Sequence, residues 1–125
     1  MKDIYKYIDE NADEYIADLQ AFIRKPSVSA QNIGLEECAE YVKDQMHKDG
    51  LPADLHEIPG GPPLVFGHLK SSKSKKTLFC YSHYDVQPPE PIEKWSHGGP
   101  WSGAFVDNVI YGRGATDNKG GLLAF

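Results

Sequence analysis

An apolar run, Thr77-Leu78-Phe79-Cys80-Tyr81, leads directly into Ser82-His83-Tyr84-Asp85. Its length and aromatic content predict a buried strand running into a loop. Residues two apart on a strand point to one side, so His83 and Asp85 are expected on a common face at the strand's carboxyl end. Open α/β sheets bind their ligands there. A metal-bound imidazole holds the metal through one nitrogen and donates the other N–H to a carboxylate, which fixes the tautomer. His83 and Asp85 suit that pair of roles.

A second carboxylate, Asp117, lies between a Gly112-Arg113-Gly114 turn and Lys119-Gly120-Gly121-Leu122-Leu123, which reads as the start of a helix. Carboxylates at strand-to-helix junctions bind cations, but an Asp there equally serves as a helix N-cap or turn residue. The Gly112-x-Gly114 pair is not a phosphate loop. It lacks the third glycine of a dinucleotide fingerprint and the Gly-Lys-Ser/Thr ending of a P-loop.

Taken in order, His83-Tyr84-Asp85-Val86-Gln87-Pro88, then Trp95, Pro100-Trp101 and Ile110-Tyr111-Gly112-Arg113-Gly114-Ala115-Thr116-Asp117-Asn118-Lys119-Gly120 resemble the M20 family of metallopeptidases, especially its dipeptidase branch. The resemblance implies an α/β fold, part of a zinc-peptidase catalytic domain with a mixed sheet flanked by helices. It also implies two Zn2+ per complete site, with His83 ligating one metal, Asp117 bridging both, and Asp85 orienting His83 as the catalytic-site carboxylate. The nitrogen and oxygen donors would also accept cobalt or manganese. A cis peptide between Asp117 and Asn118 is implied as well. Gln87 is similar to the dipeptidase members, whereas deacylase and desuccinylase members more often carry Val-Val-Pro. Trp101 stands where relatives more often have Phe, and Asn118 where many have Asp. The family's Glu-Glu pair, a further acidic ligand and a distant His have no counterpart before Phe125. The chain is therefore expected to be the amino-terminal portion, residues 1–125, of a metallopeptidase catalytic domain, truncated within an apolar run at Leu122-Leu123-Ala124-Phe125 and lacking the general base.

The rest of the sequence predicts the scaffold. Ile4, Ile8, Ala12, Tyr15, Ile16, Leu19, Phe22 and Ile23 recur at helical spacing, giving one amphipathic helix that Pro26 prevents from continuing. A loop covers Ser27 to Gly34. A second helix spans Leu35 to Asp49, with Leu35, Cys38, Ala39, Val42 and Met46 on one stripe, His47 beside it and Gly50 as a left-handed cap. Strands follow at Ala53–Ile58 and Leu64–Leu69 around a Pro59-Gly60-Gly61-Pro62-Pro63 turn. His56 and His68 on these strands read as structural or solvent-facing. A long connection from Pro88 to Asn108 is expected to be pinned by Trp95 and Trp101. His97 within it reads as exposed, with a substrate contact as the alternative. Val109-Ile110-Tyr111 reads as a short strand.

A net charge of -5 argues against nucleic acid as a partner, because phosphate binding needs clustered Lys and Arg. The one basic cluster, Lys70 to Lys76, reads as a solvated loop. Cys38 and Cys80 show no metal or redox spacing and are expected as buried free thiols, in keeping with a reducing cytoplasm. The amino terminus lacks the apolar segment of a signal peptide, and no stretch is long enough to span a membrane. The partner implied is a small dipeptide substrate, with a homodimer of the full-length protein admitted by the resemblance. Two alternatives stand beside a metal-dependent dipeptidase. One is an N-acyl amino acid amidohydrolase of the same family. The other is a short non-catalytic remnant or interaction module that keeps the motifs.

Overall fold

The computed structural model describes residues 2–124. Helix α1 spans Lys2–Glu10 and α2 spans Ala12–Ile23, where the sequence predicts a single helix. The interruption lies at Asn11, whose side-chain amide donates to the Tyr7 carbonyl at 2.7 Å and competes with the helical ladder. The apolar residues of α1 remain exposed. The end of α2 behaves as expected, with Phe22 and Ile23 fully buried, each contributing about 1.5–3 kcal/mol by leaving water.

Residues 27–34 form a short loop with a 3-10 turn at Ser29–Gln31, closed by antiparallel pairing of Val28 with Ile33. Helix α3, Leu35–Lys48, buries Leu35, Cys38, Ala39 and Val42 along the predicted stripe, and Gly50 adopts φ 80° beyond its end. Strand β1 (Ala53–His56) pairs antiparallel with β2 (Leu64–Gly67) and packs on α3. His47 fastens this corner, its Nε2 lying 2.8 Å from the Ala53 carbonyl oxygen. Strands β3 (Ala104–Val106) and β4 (Val109–Tyr111) form a second hairpin, and α4 covers Lys119–Leu123. The architecture is α/β, with two two-stranded antiparallel sheets among the described residues and one parallel bridge joining Val28 to Val86.

The core gathers where α2, α3 and α4 meet the Tyr84–Val86 segment. Phe22, Cys38 and Val42 form its centre, with Tyr41, Met46, Val65, Tyr84, Leu122 and Leu123 packed around them. The expected apolar packing of the carboxyl-terminal run thus holds for Leu122 and Leu123; Phe125 lies outside the described residues. In the long connection, Trp95 donates its indole N–H to the Pro89 carbonyl at 2.5 Å and lies under the Arg113 guanidinium. His97 is exposed, its ring tilted against that of Tyr111 with centroids 4.1 Å apart.

Two further expectations are corrected. Residues 77–81 form no strand, and Leu78, Phe79 and Tyr81 are 88%, 78% and 76% exposed. A buried strand needs ladder partners for its backbone N–H and C=O groups, and among the described residues none pairs with this run. Cys80 shares that environment and is an exposed thiol, whereas Cys38 is buried as expected.

Candidate metal centre

Although no strand carries them, His83 and Asp85 still meet. The His83 Nδ1 lies 3.2 Å from Asp85 Oδ1 and 3.1 Å from the Asp85 carbonyl oxygen. On the other side of the ring, Nε2 lies 3.1 Å from Oδ1 of Asp117. One imidazole therefore faces two carboxylates drawn from segments more than thirty residues apart in sequence. Asp117 is 81% exposed at its side chain, while His83 and Asp85 are about half so.

This arrangement has an electrostatic consequence. With Nδ1–H donating to Asp85, Nε2 carries a lone pair directed at a carboxylate oxygen. Two acceptors at 3.1 Å need a proton or a cation between them, and a proton on either group or a metal ion would supply it. Zinc accepts both imidazole nitrogen and carboxylate oxygen as donors. The donors therefore fit a borderline cation such as zinc. Among the described residues no group of three or more His, Cys, Asp or Glu gathers as a metal cluster. A catalytic zinc takes about three protein ligands, so His83 and Asp117 account for only part of such a set.

Asp117 is held in place from both sides. The Asp117–Asn118 peptide is cis, as the resemblance implies. The Asn118 amide donates to the Ser82 hydroxyl at 2.9 Å, fastening this loop to the segment that carries His83. Upstream, Gly114 has φ 88°, and a Cβ there would stand 2.7 Å from Val86 Cγ1. Only glycine combines that conformation with so close an approach. Downstream, Lys119 is fully buried and donates through Nζ to the carbonyls of Phe22, at 3.1 Å, and Lys25. Burial lowers its pKa to about 8, against an opposing influence from Cys38. It ties the Asp117 loop to the end of α2, where the last carbonyls carry partial negative charge.

Ser27 and Ser29 also reach the site. The Ser27 hydroxyl donates to the Tyr84 carbonyl at 2.7 Å, and the Ser29 hydroxyl donates to Asp85 Oδ2 at 2.5 Å. Neither these serines nor the anchoring role of Lys119 was evident from sequence. Their partners lie 56 to 97 residues away, and no local periodicity reports such contacts.

The α/β scaffold thus sets a histidine between two carboxylates, close in sequence to a Gly-Arg-Gly turn. The comparisons with known proteins are more specific. Residues 79–125 match peptidase family M20/M25/M40. A Cys-Gly metallodipeptidase of Schizosaccharomyces pombe is 35% identical over 98% of this chain, and a succinyl-diaminopimelate desuccinylase of Methylorubrum extorquens is 34% identical over 86% of it. Among solved structures, an M20 family metallo-carboxypeptidase of Sulfolobus solfataricus superposes with a TM-score of 0.83 and 42% identity over 89% of the chain. The chain belongs to the M20 peptidase family and corresponds to the amino-terminal part of its catalytic domain. It spans 28%, 27% and 25% of the lengths of these three proteins respectively.

Proposed function

We propose that this chain supplies His83, Asp85 and Asp117 to the dinuclear zinc site of a cytoplasmic dipeptidase. His83 would hold one metal ion through Nε2 and Asp117 would contribute its carboxylate to the pair, while Asp85 holds the imidazole from behind. The observation that carries this reading is the imidazole set between two carboxylates, at 3.2 Å and 3.1 Å. A bound metal pair of this kind polarises a scissile carbonyl and lowers the pKa of a bound water.

The chain's own residues have distinct tasks in this reading. Asp85 accepts from Nδ1 and so keeps the Nε2 lone pair free for a cation. Asp117 keeps its carboxylate largely open to solvent, where a bridging ligand must meet a second ion. The general base and the remaining ligands belong to the rest of the domain. Two unpaired cysteines, one of them exposed, suit a reducing cytoplasm, and no helix of the described residues is long and apolar enough to cross a membrane.

The dipeptide reading draws on the metallodipeptidase relative and on Gln87, which is exposed in the loop just beyond Asp85. A second reading, hydrolysis of an N-acyl amino acid, draws on the desuccinylase relative. The test is His83→Ala in the full-length protein, with bound zinc and turnover of a dipeptide and an N-acyl amino acid measured together. Zinc affinity and dipeptide turnover are expected to fall by more than about 100-fold, exceeding what loss of an outer partner costs. Unchanged zinc and turnover would remove His83 from the site. Parental turnover confined to the N-acyl substrate would favour the second reading.

A further inference from the structure

We propose that Ser29 is a positioning residue of the metal centre, acting through Asp85 on His83; this rests on the metal-site reading above. The two oxygens of the Asp85 carboxylate have different partners. Oδ1 faces His83 Nδ1 at 3.2 Å, and Oδ2 accepts the Ser29 hydroxyl at 2.5 Å. The second contact has the short length of a charge-assisted O–H···O bond. With both oxygens engaged from different directions, the carboxylate cannot turn without losing one contact. The plane of Asp85, and with it the plane of the His83 ring, is set by a hydroxyl 56 residues upstream.

The surrounding backbone supports that role. Ser27 receives the Val86 N–H on its carbonyl at 2.8 Å and donates its hydroxyl to the Tyr84 carbonyl at 2.7 Å. Val28 bridges Val86 in parallel, and Ser27, Val28 and Val86 are all buried. Residues 27–29 thus grip both backbone neighbours of Asp85 while Ser29 grips its side chain. Ser29 is the first residue of the 3-10 turn, and its hydroxyl is directed to Asp85. The residue is itself exposed, so removing the hydroxyl opens no cavity.

The experiment measures zinc affinity of the full-length protein by competition with a chelator. Ser29→Ala is expected to weaken zinc binding about tenfold, the low end of the range for partners of a ligating histidine. Ser29→Thr should restore binding, since it keeps a hydroxyl at an exposed position. In an Asp85→Ala background, Ser29→Ala should produce no further loss, because its effect passes through that carboxylate. Parental affinity in Ser29→Ala would overturn the proposal, as would equal losses in the Ala and Thr variants or a full additional loss in the Asp85→Ala background. His83→Ala separates the two levels. Zinc retained by that variant would overturn the site reading and the Ser29 role together. Zinc lost from it, with Ser29→Ala at parental strength, would overturn the Ser29 role alone.

Discussion

Lys119 shows how one side chain joins the site to the scaffold. Its ammonium group is fully buried among the Phe22 and Lys25 carbonyls and the Phe22 ring, and burial lowers its pKa from 10.5 to about 8. The sign of the resulting pH dependence follows from proton counting. Below about pH 8 the lysine is charged in both folded and unfolded chains, so the cost of burying charge is present in full. Between about pH 8 and 10.5 the folded chain has released the proton and the unfolded chain has not, so this residue's contribution to stability rises with pH. Urea unfolding of the parent and Lys119→Met should show the parent gaining on the variant as pH climbs from 8 to 10. A difference independent of pH would mean that the ammonium is not desolvated.

Among the elements, the turn from β4 to α4 carries a strict requirement. At Gly114 an added methyl would have to enter a left-handed backbone conformation and push into Val86. Gly114→Ala is expected to destabilise the fold by about 1–3 kcal/mol, readable as a lower urea midpoint. A midpoint unchanged from the parent would show that the turn rearranges freely. Elements governed by local pattern were legible in the sequence. The α3 stripe, its Gly50 cap, the β1–β2 hairpin and β4 depend on periodicity and turn residues within a few positions. The blocks that carry His83, Asp85 and Asp117 were legible as distinctive runs of residue types, and the structure brings the three side chains together. The break at Asn11 was not, since a side chain overrode a continuous apolar period. Strand β3 was hidden inside a long connection, although Asp107 and Asn108, both at positive φ, are the residues a tight hairpin turn favours. The run at 77–81 failed for the opposite reason. Its composition suits a strand, but composition cannot supply ladder partners.

Over the whole molecule, the described chain leaves a large apolar surface uncovered. Leu78, Phe79 and Tyr81 are all more than three-quarters exposed, beside a groove between α3 and the Ser82–Asp85 segment lined by Met46, Leu64 and Leu122. Patches of this kind drive association. The isolated chain should self-associate with rising concentration, and Phe79→Lys should move the midpoint by about tenfold or more, since burying one Phe side chain contributes about 1.5–3 kcal/mol. Sedimentation at several concentrations would check this, and a parent that stays monomeric throughout would contradict it. The grip of residues 22–29 on the His83, Asp85 and Asp117 cluster has a separate consequence. The family match begins at residue 79, yet Asp85 is steadied by Ser27 and Ser29, and the Asp117 loop is moored to the α2 end through Lys119. The recognisable motif is therefore not a transplantable module. Grafted into a foreign host without its amino-terminal helices, it would bring the histidine and its carboxylates but not the mould that shapes them.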